Sequence, residues 1–263
     1  MVASLGVPAM ASAKTTLIGS GSSAEQPIMQ LLFSAYSRAN KSIRFAYTPD
    51  GGNAGVKDVQ QGRSQFAINT SPPLPSDSGT NEFKIFLDGL CVGVNPSNSL
   101  SNITLASLKN VFLGLTTSWS GVDGSNLTAA IDPVGRNSTA GSYTFFQTAV
   151  LGGKTQASNV LPETSDGLVA TKIKQDANAI GYVGLAHAGA GSGVKTLAIN
   201  GIACNQSTIK AETYPLFRYI WAIVPTQSPN VQVEKFIDWV RTSATAGKVI
   251  TLGGAVPAFN KKS

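Results

Sequence analysis

Short apolar runs and stretches of helical spacing alternate along the chain. Thr15 to Ile18 reads as a strand running into Gly19-Ser20-Gly21-Ser22-Ser23. After it, Ile28, Leu31, Leu32, Ala35 and Tyr36 recur on one face of a 3.6-residue period, and Pro27 with the serines before it marks a helix start. Ile43 to Tyr47 alternates as a strand, and Pro49-Asp50-Gly51-Gly52-Asn53 turns the chain into a helix near Ala54 to Gln61. Phe66 to Asn69 predicts a short strand stopped by Ser71-Pro72-Pro73, and Ile85 to Asn95 a long apolar one. Helices are expected over Thr104 to Gly114, Gly141 to Leu151 and Ser165 to Asp176, and strands over Ala179 to Val183 and Tyr219 to Val224. Val233, Phe236, Ile237 and Val240 mark a last long helix. The alternation predicts an α/β protein. No repeat or low-complexity linker interrupts it.

Composition narrows the setting. Apolar residues make up 42% of the 263, enough for a substantial core, whereas charged residues are only 13%. The polar surface therefore falls to Ser, Thr, Asn, Gln and Gly, which suits an exported protein. A net charge of +6 favours anionic partners in a general way. The basic side chains are scattered, so no nucleic-acid footprint forms. Residues 1–13, ending Ala11-Ser12-Ala13 before Lys14, read as a leader remnant or an N-terminal arm, and a periplasmic or cell-surface location is expected. No other stretch has the length of a membrane span. Cys91 and Cys204 can form a disulfide in an exported chain or stay as two buried thiols. With His187 as the one histidine, no metal site or cofactor is expected.

Chemistry concentrates in three loops between a strand and a helix: Gly19 to Ser23, Gly51 to Gly55, and Arg136 to Ser142. A helix start offers free backbone N–H groups at the positive end of the dipole, so each loop is a candidate anion seat. Arg136 adds a planar, permanently charged fork. Competing motifs are weaker. Gly19-Ser20-Gly21-Ser22-Ser23-Ala24 fits a dinucleotide fingerprint, but that motif needs an acid at the end of the next strand, and Asp50 comes late, inside a turn. There is no Gly-x-Ser-x-Gly turn, and His187 has no recognisable acidic partner, so no enzymatic activity is expected.

The collinear set of these loops resembles the periplasmic phosphate-binding proteins of ABC transporters. The resemblance is carried by Gly19 to Ser23 with Pro27, Tyr47 to Lys57, Phe66 to Pro72, Asp88-Gly89 to Pro96, Leu105 to Phe112 with Trp119-Ser120, Val134 to Ser142 with Phe145, Ile180 to Val183, Tyr214-Pro215-Leu216 and Phe236 to Val240. It implies a two-lobed periplasmic-binding-protein-like fold of type II, with mixed sheets flanked by helices and a two-strand hinge near Ile85 to Val94 and Tyr214 to Val224. Lobe I would comprise residues 14–88 and 218–263, and lobe II residues 89–217. The implied ligand is a small oxyanion, phosphate first and sulfate as an alternative. Its contacts would be Ser22, Ser23 and Ala24 at the first helix start, Gly52, Asn53 and Thr70 in the same lobe, and Arg136, Ala140, Gly141 and Ser142 opposite.

The chain departs from the family pattern at three of these positions. Gly52 replaces a serine for which Asn53 could substitute, Ala140 replaces a serine, and Thr70 replaces an aspartate that accepts a proton from hydrogen phosphate. Ser138 also falls where an acidic residue often orients the arginine. Threonine both donates and accepts, so relaxed or altered anion specificity is expected. An ABC permease is the implied partner. The departures also admit a second reading, a self-associating extracellular structural or adhesive protein that reuses the fold with a degenerate site.

Overall fold

The computed structural model of the protein describes residues 14–189 and 191–258; the leader-like residues 1–13 lie outside them. The chain opens with β1 (Thr15–Gly21), α1 (Gln26–Ala39), β2 (Ile43–Thr48), α2 (Gly52–Gln60) and β3 (Phe66–Asn69). β1 lies between β2 and β3 and runs parallel to both, as strand–helix–strand crossovers require. Next comes the long β4 (Thr80–Val94), buried without a break from Ile85 onward. It is followed by β5 (Asn102–Ile103), α3 (Leu105–Phe112), β6 (Asp132–Arg136), α4 (Gly141–Ala149), β7 (Leu161–Glu163), α5 (Asp166–Gln175) and β8 (Ala179–Gly184). After β9 (Lys195–Thr196), β10 (Ala198–Ile199) and α6 (Gln206–Lys210), the chain returns along β11 (Phe217–Pro225) and closes with α7 (Val231–Thr242), α8 (Ala244–Leu252) and β12 (Val256–Pro257).

The strands form one mixed sheet in the order β2-β1-β3-β11-β4-β8-β6-β7, with β9 and β12 also on β4 and a separate β5–β10 pair. β4 belongs to both ends of this sheet. Residues 80–89 pair antiparallel with β11, and Leu90 to Val94 pair with β8. The apolar side chains divide at the same place. One core gathers Leu17, Ile28, Phe66, Phe86, Ile220 and Phe236; the other gathers Leu90, Phe112, Trp119, Phe146, Val169 and Tyr182. The fold is two-lobed, and the paired strands β4 and β11 join the lobes.

One sequence expectation changes in detail, and one helix is added. α1 buries Ile28, Met29, Leu32, Phe33 and Tyr36, whereas Leu31 is 46% exposed. Phe33 stacks on Phe45, with ring centroids 4.3 Å apart, and this large aromatic contact sets the rotation of the helix. The last expected helix is α7, which buries Val233, Phe236, Ile237 and Val240, and a further helix, α8, follows it. Ser243 ends α7 and caps α8, its side chain accepting from the amides of Thr245 and Ala246. Cys91 on β4 and Cys204 beside α6 form a disulfide, which settles the alternative left open by the sequence. No described helix is long and apolar enough to cross a membrane.

Candidate functional site

Three of the helix starts meet at the junction of the lobes. β1 ends at Gly21, and the Ser22 amide donates to the Ile68 carbonyl at 2.8 Å, holding the first loop against β3. The Gly51 amide donates to the Gly21 carbonyl at 2.8 Å, which brings the α2 start alongside. From the other lobe, the Arg136 to Ser142 loop crosses to the same place. Its Thr139 carbonyl accepts from the Asn53 amide at 3.0 Å, and Ser142 Oγ lies 3.4 Å from Thr70 Oγ1.

The backbone donors at these starts divide into spent and unspent. Ser22 has given its amide to Ile68, and Ala140 has given its own to the Asn137 carbonyl. The amides of Ser23, Ala24, Gly52, Gly141 and Ser142 have no acceptor among the described residues, and all five residues are buried. Neither Glu25, Gly51 nor Ala140, the residues preceding the three helices, caps its helix with a side chain. Buried peptide donors are almost always paired. Several together at positive helix ends form a ready place for a negative group.

Asn53 does something other than replace a ligand serine. Its Nδ2 donates to Thr144 Oγ1 at 2.8 Å and to the Ser138 carbonyl at 3.1 Å, so it clasps the two lobes together. Gly52 has a spatial reason. A Cβ there would sit 2.1 Å from Asn69 Oδ1, and one on Gly141 would sit 2.0 Å from the same atom. Asn69 Oδ1 in turn accepts from the Thr70 and Ser71 amides, so it is not free to move aside.

Arg136 is 2% exposed at the end of β6. Its Nη1 contacts the Asp166 carboxylate, Nη2 donates to the Thr164 carbonyl at 3.0 Å, and Nε donates to the Glu163 carbonyl at 3.2 Å. Burial pushes its pKa down to about 10, which leaves it cationic near neutrality. Asp166 therefore orients the guanidinium. Its own amide lies 3.4 Å from Ser23 Oγ, and its second oxygen accepts from the Gly184 amide at 2.9 Å.

Sequence reasoning missed a second guanidinium. Arg218 on β11 stands opposite Asp88 on β4, to which it donates from Nη2 at 2.8 Å and Nε at 3.2 Å. Its Nη1 donates to Ser142 Oγ at 2.9 Å. Glu25, immediately before α1, reaches the same Nη2 at 3.5 Å. The available signal was Asp88 itself: a lone carboxylate in the apolar run Ile85 to Val94 requires a buried cation. His187, for which the sequence offered no acidic partner, places Nε2 3.2 Å from the Ser23 carbonyl, and burial lowers its pKa. Among the described residues, no group of three or more His, Cys, Asp and Glu side chains could hold a metal ion.

Comparison with known proteins agrees with this architecture. A family model described as a PBP superfamily domain matches residues 6–243. The phosphate-binding protein PstS of Bacillus subtilis is 23% identical over 256 residues, covering 95% of this chain and 83% of its own. Protein SphX of Synechococcus elongatus is 28% identical, covering 94% of this chain and 79% of its own. Among solved structures, a putative phosphate ABC transporter substrate-binding protein with bound phosphate from Clostridium perfringens superposes with a TM-score of 0.86 at 20% identity, covering 93% of this chain and all of that one. An ABC-type phosphate transport receptor from Vibrio cholerae gives 0.74 at 23% identity, covering 91% and 99%. With its two lobes, its paired hinge strands and a family match over most of its length, the chain belongs to the PBP superfamily.

Proposed function

We propose that this protein is an extracytoplasmic solute-binding protein that holds phosphate or a related oxyanion between its lobes and delivers it to an ABC importer. The observation that carries this reading is the group of unpartnered buried amides of Ser23, Ala24, Gly52, Gly141 and Ser142, contributed by helix starts of both lobes. A hydrogen bond to a charged ligand contributes roughly 1.5–3 kcal/mol, so a few of them with two nearby guanidinium groups suffice for tight binding. Phosphate-binding relatives and neighbours support phosphate as the first candidate.

The mechanism is a change of population and involves no reaction. Residues 14–88 with 218–263 and residues 89–217 would move as two bodies about β4 and β11. An anion that accepts from Ser23 and Ala24 on one side and from Gly141 and Ser142 on the other favours the closed arrangement. The closed form would then dock on its permease. Thr70 offers no carboxylate to accept a hydrogen bond from the ligand's O–H, so discrimination between phosphate and sulfate is relaxed. Isothermal titration with phosphate and with sulfate tests the reading. Saturable binding of phosphate, with sulfate competing, is expected; no heat from either anion would overturn it.

A further inference from the structure

The hinge holds two carboxylates against one guanidinium. Asp88 and Arg218 face each other across β4 and β11, and Glu25 approaches the same guanidinium from the start of α1. All three side chains are 1% exposed. Asp88 accepts two hydrogen bonds from Arg218, whereas neither oxygen of Glu25 has a hydrogen-bond partner among the described residues. If both acids were ionised, one negative charge would stay uncompensated in a place that water does not reach. A proton on Glu25 removes it.

This cluster is wired to both anion seats. Glu25 follows Ala24, whose amide is unspent, and its own amide donates to Ser22 Oγ at 3.3 Å. Arg218 joins it to the opposite lobe through the 2.9 Å bond to Ser142 Oγ. A negative Glu25 would oppose an anion directly and would also draw Arg218 away from Ser142.

We infer that Glu25 is a proton-linked control on anion affinity: the cleft holds its anion with Glu25 neutral and loses affinity when Glu25 ionises. This rests on the reading of the cleft as an oxyanion site. It assigns to a residue behind the ligand the proton dependence that Thr70 cannot provide.

Burial, then the Asp88 charge, holds the Glu25 carboxyl well above the usual carboxylate range, against the pull of Arg218. Of the groups around the cluster, Asp50, raised by burial to about 6 and bonded to the Gly21 amide, also changes charge in this range, and the ratio to Glu25→Gln cancels its contribution. Tyr47, whose hydroxyl donates to the Ser22 carbonyl, is pushed up by burial and then by the charges of Glu25 and Asp50, so it stays neutral. Burial pushes His187 down from the usual imidazole range. Arg136 and Asp166 are fixed as a pair across the cleft.

The test is phosphate calorimetry on the wild-type chain and Glu25→Gln from about pH 5 to about pH 9. Taking the affinity ratio at each pH cancels the ionisation of phosphate itself. The ratio should be close to one at low pH. Above the Glu25 pKa, Glu25→Gln should bind more tightly by up to about tenfold per pH unit, because one proton is linked to binding. A ratio that is constant over the range, with both proteins binding, overturns the inference and leaves the cleft reading standing. Failure of both proteins to bind phosphate overturns the cleft reading and the inference with it. Should Glu25→Gln not fold, wild-type titrations in two buffers of different ionisation enthalpy decide the matter. Proton uptake beyond that of phosphate is expected, and none would overturn it.

Discussion

At the scale of single residues, the proposed site is built from backbone more than from side chains. Ser23, Ala24, Gly141 and Ser142 contribute peptide N–H groups, and Gly52 and Gly141 are bare because Asn69 Oδ1 occupies the space their side chains would need. Such a site depends little on residue identity, so its ligand preference falls to the few side chains that touch it. On the proposed reading Thr70, whose Oγ1 lies 3.4 Å from Ser142 Oγ, is the first of these. A carboxylate there accepts a hydrogen bond from the O–H of hydrogen phosphate and repels a fully ionised dianion. Thr70→Asp should therefore raise the preference for phosphate over sulfate by about tenfold or more, from one added charged hydrogen bond. Competition titrations check this, and an unchanged ratio would remove Thr70 from the specificity account.

At the scale of elements, helix starts supply the donors and buried ion pairs hold them in place. Asp166 caps no helix, yet its contact with Arg136 and its bond to the Gly184 amide tie β6, α5 and β8 into one frame. Removing one partner of a buried pair leaves the other charge uncompensated. Asp166→Ala should cost about 3–5 kcal/mol in urea denaturation, well above a surface substitution. The elements themselves were largely legible. Pro27 and the serines announce α1, Thr104 caps α3 as its position predicts, and the Ile85 to Val94 run is the buried half of β4. α8 was not legible, because it buries only Ala246, Gly247 and Ile250 and so carries little apolar periodicity. The loops that bear the site were found from glycine and hydroxyl content. Arg218 and Glu25 were not, because they meet only when β11 returns beside β4 from more than a hundred residues away.

At the scale of the whole molecule, continuity of β4 through both ends of the sheet makes the junction a hinge and places the charge cluster on it. This arrangement also sets a pH response of folding. Asp50, whose Oδ1 accepts from the Gly21 amide at 3.0 Å, has its pKa raised to about 6, by burial first and then by the bond to and charge of Asp58. An unfolded aspartate titrates near about 3.9, so between about 4 and 6 the folded chain holds the extra proton. Its contribution is fully present below that window and is lost as pH rises through it. Glu25 acts in the same direction, starting from the ordinary carboxylate range and extending upward. Melting temperature should accordingly fall as pH rises across this window, and Asp50→Asn should flatten the fall; a slope identical to that of the wild type would exclude Asp50 as its source.

On the proposed reading, peptide groups at opposed helix starts grip the anion across the hinge. Amide chemical-shift mapping during a phosphate titration addresses it directly. The account predicts large shifts of the Ser23, Ala24, Gly141 and Ser142 amide protons that saturate together. Saturating shifts confined to other parts of the chain, with these four amides unmoved, would contradict it.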